Sequence, residues 1–93
     1  MRRRLSDLEI QRALGGLPGW SRRGDLLTKT FTLRTFAEVM TLVNGIAEEA
    51  ERMNHHPDLD IRYNKLTCTL STHDAGGITQ LDLDLASAIE KLK

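Results

Sequence analysis

Three histidines, His55, His56 and His73, are all this chain contains, and they lie close together in the sequence. Acidic residues stand around them: Glu51 before the first pair, Asp74 beside the third and Asp82 further on. Imidazole is the side chain best able both to give and to take a proton near neutral pH. Three of them, with a carboxylate available to orient one, point to acid–base chemistry without a cofactor. A metal centre is the competing reading. Adjacent histidines make a poor chelate, the spacing matches no common zinc motif, and Cys68 belongs to the apolar side of its strand. Taken singly, each residue has an ordinary role. A histidine ending a helix caps carbonyls, Asp82 is a first-turn acid, and Glu51 is a solvated helix residue. Cys68 reads as a small core residue, and Gly76-Gly77 as a turn and not a phosphate loop.

The elements that must position these groups follow from periodicity. Ser6-x-x-Glu9 is a capping box, with Leu5 and Ile10 as its hydrophobic staple, and Gly15-Gly16 ends the first helix early. Thr35-x-x-Glu38 opens a second helix, whose apolar residues run at helical spacing from Phe36 through Ala50 to an end near Asn54. Gly45 inside it leaves room for something to pack closely. A third helix begins near Thr79, with Leu81, Leu85, Ala88, Ile89 and Leu92 as its expected buried stripe. Two strand pairs fill the intervals: Trp20–Arg23 with Leu26–Leu33 around Gly24-Asp25, and Asp60–Tyr63 with Lys65–Thr72 around Asn64. Leu66, Cys68 and Leu70 alternate with threonines and Ser71, a half-buried antiparallel pattern. The order α-β-β-α-β-β-α predicts an α+β domain: a four-stranded antiparallel sheet with helices packed on one face.

This frame places the histidines on loops. Pro57 cannot continue the second helix and holds His56 extended, so His55 and His56 leave the helix end together. Adjacent side chains on extended backbone point opposite ways, so a pocket lined by both calls for a bend. His73 follows the fourth strand, and Gly76-Gly77 permits a tight turn into the third helix, which carries Asp82.

Composition excludes several classes. At 93 residues the chain makes one domain, with an expected radius of gyration of about 12 Å. Thirteen Lys+Arg balance thirteen Asp+Glu, so there is no charge argument for nucleic acid or a membrane surface. Trp20, Phe31, Phe36 and Tyr63 are too few for a base-stacking platform, and they leave a thin core that association would help. A lone cysteine fits a reducing cytoplasm. The Met1-Arg2-Arg3-Arg4 start is not followed by an apolar run, so neither export nor membrane insertion is expected, and the arginines read as a solvated tail.

The pattern Glu51-x-x-x-His55-His56-Pro57-x-x-x-x-x-Tyr63, then His73, then Asp82, resembles the signature of the pterin-4a-carbinolamine dehydratases. Met53-Asn54-His55-His56-Pro57, Tyr63-Asn64-Lys65 and Thr72-His73-Asp74-x-Gly76-Gly77-x-Thr79-x-x-Asp82 carry the resemblance, which covers essentially the whole chain, 1–93, as one domain. It implies dehydration of 4a-hydroxytetrahydrobiopterin to quinonoid dihydrobiopterin, recycling the pterin of an aromatic amino acid hydroxylase, with no metal and no organic cofactor. It implies His55 and His73 as the acid–base pair, His56 as a pterin-binding residue that assists proton transfer, and Asp82 orienting a histidine or holding the pterin ring. Glu51 would support the pocket, and His55-His56-Pro57 and Thr72-His73-Asp74-Ala75 would contact the substrate. A homodimer or homotetramer is implied too, paired through sheet edges or helices. The alternative within the same resemblance is a protein-binding module, since relatives serve as dimerisation cofactors of a homeodomain transcription factor or as carboxylase assembly factors. Retention of all three histidines favours the enzyme. Two positions depart from animal members: Ala75 stands where they often carry cysteine, and Leu59 where they tend to carry tryptophan.

Overall fold

The structure is a computed structural model and describes residues 3–92. Its elements are α1 (Asp7–Leu14), β1 (Ser21–Arg23), β2 (Leu26–Thr32), α2 (Phe36–Met53), β3 (Asp58–Arg62), β4 (Lys65–Leu70), a single 3-10 turn (His73–Ala75) and α3 (Gln80–Lys91). The strands form one antiparallel sheet in the order β1-β2-β4-β3. The order and the sheet are those expected from the sequence. The radius of gyration is 12.8 Å.

Both hairpins turn through two residues. Gly24 at φ 61° and Tyr63 at φ 52° supply the left-handed backbone that such tight loops require. In the sheet centre Leu27, Phe31, Leu66, Cys68 and Leu70 point to one face and are buried. There they meet Val39, Leu42 and Ile46 of α2, Leu85 and Ile89 of α3, and Ile10 of α1 in one cluster. Each large apolar side chain so buried contributes roughly 1.5–3 kcal/mol. The opposite face presents threonines, two of which hydrogen-bond across strands (Thr30 to Thr67, 2.9 Å). The Ser6–Glu9 capping box forms as expected. At α2 only half of the expected box forms. Thr35 accepts from the Glu38 amide, whereas the Glu38 carboxylate turns to the main chain and guanidinium of Arg34. Gly45 takes Leu92 against it: a Cβ there would lie 3.2 Å from the leucine side chain.

Three expectations need correction. The arginines of the N-terminus are not a loose tail where they are described: Arg3 pairs with Glu9 and Arg4 with Asp25. Met1 and Arg2 lie outside the described residues. The later strands are shifted, β3 starting at Asp58 and β4 ending at Leu70. Beyond Leu70, Thr72 makes only an isolated bridge to Gly77. The buried stripe of α3 is rotated from the expected one and consists of Asp82, Leu85, Ala86 and Ile89, while Leu92 is exposed. An aspartate on the inner face is what apolar periodicity cannot register.

A feature that apolar periodicity does not register is Lys29, which shares the inner face with Leu27 and Phe31. Its ammonium donates to Glu90 (2.7 Å) and to the Pro18 carbonyl (2.8 Å) and sits 4.6 Å from the centre of the Phe31 ring. Glu90 also accepts the Trp20 indole N–H at 2.9 Å. Gly19, at φ 83°, lets the chain pass this lysine, since a Cβ would fall 2.8 Å from Lys29 Cε. The knot ties β2 to the end of α3.

Burial and the negative charge of Glu90 push the Cys68 thiol up to about 12. The native state therefore disfavours the thiolate that the unfolded chain forms near its ordinary pKa of about 9. The associated stability is complete below that value and declines as pH rises from it toward 12. Native protein at pH 8 is expected to leave a disulfide-exchange reagent unreacted, and urea-unfolded protein to consume one equivalent. Rapid native reaction would contradict this burial. Lys29→Met leaves Glu90 with a half-buried charge and should cost about 2–4 kcal/mol in urea denaturation.

Candidate active site

The end of α2 sets the first wall of the site. Asn54 adopts the left-handed conformation (φ 51°, ψ 44°) and its amide reaches back to Glu51 O. The next amide, of His55, donates to Ala50 O at 3.0 Å. This pair of bonds is a Schellman closure with asparagine in the usual glycine position. It fixes where His55 leaves the helix. From there burial alternates. His55 is buried, His56 exposed, Pro57 intermediate and Asp58 exposed, in phase with β3. The two histidines therefore do point opposite ways, and no bend between them is needed. Both border the same cleft, His55 from its floor and His56 from its rim.

The second wall comes from the end of β4. The strand's parity continues through Thr72, which is buried like Leu66, Cys68 and Leu70 before it. The 3-10 turn then places His73 and Asp74 on the exposed side. Gly76 closes that turn at φ 71°, where a side chain would be strained. Thr72 and Gly77 pair their main chains in both directions, so the turn returns close to where it left.

Between the walls lies a cleft of about 530 Å³. His55, His56, Pro57, Thr72, His73 and Asp74 line it, as expected, together with Asn54, Asp58, Ser71 and Leu81, which the sequence reading did not single out. Strand alternation could have found Ser71, which lies on the polar side of β4's line. Asn54 stood in the histidine motif and at the expected helix end, whereas Asp58 and Leu81 gave no comparable signal. Of the remaining expected site residues, Glu51 and Asp82 stand behind histidines, and Ala75 does not line the cleft. Leu59 also lies off it, packed against the core.

Asp82 is fully buried. Its Oδ1 is 2.6 Å from His55 Nε2. Its Oδ2 accepts the Thr72 hydroxyl (2.9 Å) and the Thr79 amide (2.9 Å). The last bond belongs to the capping box of α3, in which Thr79 is the N-cap. A carboxylate at the start of a helix is also favoured by the helix dipole. His56 has its own acid, Glu51 Oε2 at 2.5 Å, but both are exposed to solvent. His73 is exposed, and its ring makes no hydrogen bond to other described residues. Among the described residues no group of three or more His, Cys, Asp or Glu side chains converges as a metal site.

A four-stranded α+β domain with a histidine-lined cleft and a buried His–Asp pair is the frame of a small acid–base site. Comparisons with known proteins give the family of this fold. The family model described as pterin 4 alpha carbinolamine dehydratase matches residues 3–92. A protein of Roseiflexus sp. (strain RS-1), provisionally designated a pterin-4-alpha-carbinolamine dehydratase, is 50% identical over 92 residues, 99% of either chain. A solved structure described as a transcriptional coactivator/pterin dehydratase from Brucella melitensis superposes with a TM-score of 0.93. It is 31% identical and covers 96% of this chain and 97% of that one. A pterin dehydratase-like protein described as a RuBisCO assembly factor in the alpha-carboxysome shares the fold at a TM-score of 0.64 and 18% identity, over 78% of this chain and 84% of that one. The chain belongs to the pterin-4a-carbinolamine dehydratase family.

The two His–carboxylate pairs should differ in energetic weight. Asp82→Ala orphans the Thr72 hydroxyl, the Thr79 amide and the His55 ring nitrogen in the interior. Its expected cost is about 2–4 kcal/mol. Glu51→Ala breaks a solvated pair and should shift stability by no more than about 0.5 kcal/mol. Urea titrations of the two variants measure the contrast, and equal losses would contradict it.

Proposed function

We propose that this protein dehydrates 4a-hydroxytetrahydrobiopterin to quinonoid dihydrobiopterin, with the cleft as its active site. The observation that carries the reading is the convergence of His55, His56 and His73 on one cleft, one of them held by a buried carboxylate. In the reaction the bond from C4a to the hydroxyl oxygen breaks and the N5–H proton leaves, so that a C4a=N5 double bond forms. Hydroxide leaves poorly, so an acid must protonate it as it departs, and a base must take the N5 proton. One proton is given and one is taken, and the enzyme returns to its starting state after those protons are exchanged.

His55 and His73 are the proposed acid–base pair. They approach from opposite walls, one from the end of α2 and the other from the 3-10 turn, as a reaction at two neighbouring atoms of one ring system requires. His56, steadied by Glu51, binds the pterin at the rim and assists proton transfer. Asp82 positions His55 and does not touch the substrate. Pro57, His73 and Asp74 line the cleft within the proposed substrate-contacting segments; Thr72 belongs to the second segment with its hydroxyl turned inward to Asp82, and Ala75 ends that segment off the cleft. Ser71, Asp58 and Asp74 add hydrogen-bonding groups at the mouth that suit a polar heterocycle, and the volume is in the range of small-molecule sites. The proposed chemistry uses neither metal nor organic cofactor, the pterin being the substrate.

The proposed setting is the cytoplasm, next to an aromatic amino acid hydroxylase that produces the carbinolamine. The lone buried cysteine supports it, and no helix among the described residues is long and apolar enough to cross a membrane. The proposed assembly is a homodimer or homotetramer. The unpaired outer edge of β3 and the exposed Phe36 on α2 are the features that association would cover. A second reading, a protein-binding module, draws on the coactivator and assembly-factor descriptions of the two solved structures. The intact histidine set favours catalysis over it.

Stopped-flow dehydration of chemically generated 4a-carbinolamine tests the proposal. His55→Ala and His73→Ala should each lower the enzymatic rate by about 10²–10⁴-fold with the fold retained by circular dichroism. Full activity in both variants would sink the mechanism. No turnover by the unmodified protein, together with a stoichiometric protein partner in a pull-down, would replace the reading with the binding module.

A further inference from the structure

The polar chain behind His55 runs further than a capping box needs. Thr79 and Asp82 satisfy the box by themselves, through Thr79 Oγ1 accepting from the Leu81 amide and Asp82 Oδ2 accepting from the Thr79 amide. Thr72 belongs to neither the box nor α3. It reaches in from the end of β4, is 2% exposed, and places its hydroxyl 2.9 Å from Asp82 Oδ2 and 2.8 Å from Thr79 Oγ1.

The proton directions along this chain follow from counting. A threonine hydroxyl has one proton to give. Thr72 gives its proton to the Asp82 carboxylate, which as an anion has none to offer. The Thr72–Thr79 contact must then be Thr79 O–H donating to Thr72 Oγ1. Thr79 in turn accepts the Leu81 amide. Every proton in the chain points toward Asp82. With two donors on Oδ2, Oδ1 is left to accept from the His55 ring, which therefore carries its proton on Nε2. The other ring nitrogen, Nδ1, has no hydrogen-bond partner among the described residues. Among the described residues no fully buried side-chain nitrogen or oxygen of a non-exposed residue lacks one. Nδ1 is therefore the ring atom that reaches the cleft.

We propose that Thr72 and Thr79 are positioning residues: their hydroxyls align the Asp82 carboxylate so that His55 is held as the Nε2–H tautomer and presents Nδ1 to the substrate as its proton-exchanging atom. Thr72 thus serves the reaction from behind His55, its hydroxyl having no proton left for a ligand. The kinetic side of this inference rests on the dehydratase reading, whereas the tautomer itself does not.

The test is two-bond hydrogen–nitrogen correlation NMR of the imidazoles in ¹⁵N-labelled, ligand-free protein, alongside the stopped-flow assay. The unmodified protein should show His55 as Nε2–H. Thr72→Val, near-isosteric and lacking the hydroxyl, should mix the His55 tautomers and lower kcat about tenfold, with KM little changed. Thr72→Ser should restore both. A His55 resonance that is mainly Nδ1–H in the unmodified protein overturns the proposal whether or not any variant folds. So does a Thr72→Val protein with native tautomer and native kcat, or a Thr72→Ser protein that behaves like Thr72→Val. Unmodified protein that shows the expected tautomer, and loses it in Thr72→Val, but turns over no carbinolamine upholds the positioning and ends the dehydratase reading.

Discussion

The fold and the site meet at one carboxylate. Asp82 is fully buried, and every lone-pair direction that matters is used: His55 on one oxygen, Thr72 and Thr79 on the other. Its donors come from three places in the chain: the exit of α2, the end of β4 and the start of α3. An anion in an apolar interior is tolerated only when such donors surround it. Its presence therefore constrains how those three segments approach one another. The 3-10 turn that carries His73 springs from the same strand end that Thr72 anchors. The cleft's two walls thus share a foundation beneath its floor.

This arrangement explains what could be read in the sequence and what could not. The element order, the two hairpins and the single-faced packing follow from local signals: capping residues, two-residue turns and the alternation in β4. These signals are local because backbone preference and side-chain parity act over a few residues. The inward placement of Lys29 and of Asp82 is invisible to apolar periodicity for a common reason. Each is a charged residue on an inward face, and apolar periodicity treats a charge as a mark of the solvent side. Only the partner, Glu90 in one case and His55 in the other, makes the inward position favourable. Those partners are distant in sequence, 61 and 27 positions away.

Membership of the site was more legible than its geometry. The residue pattern groups His55, His56 and His73, and all three line one cleft. Which acid serves which histidine was not readable, because Glu51 and Asp82 are both carboxylates near the motif. The structure separates them by solvent. Glu51 meets His56 across a wet surface, where such a pair is weakly held and free to move. Asp82 meets His55 inside, where the pair is fixed. Thr72 illustrates the same limit. Its place in the motif marks it for the site, but only the parity of β4 carried past Leu70 turns its side chain inward.

The three histidines are consequently not equivalent copies of one tool. His55 is anchored by a Schellman closure at its main chain and by Asp82 at its ring, so it has one nitrogen left and little freedom to reorient it. His73 has a main chain fixed on a short turn and a ring bonded to no other described residue, which leaves it room to follow a ligand. His56 lies between these extremes. A reaction that moves one proton onto an oxygen and another off a neighbouring nitrogen uses such a difference well. In the proposed dehydration the anchored ring would define one atom of the substrate's pose, and the His73 ring would adapt to the group whose position changes as the carbon–oxygen bond lengthens. Preorganisation on one side and adaptability on the other divide the work that a single, uniformly rigid site would have to do twice.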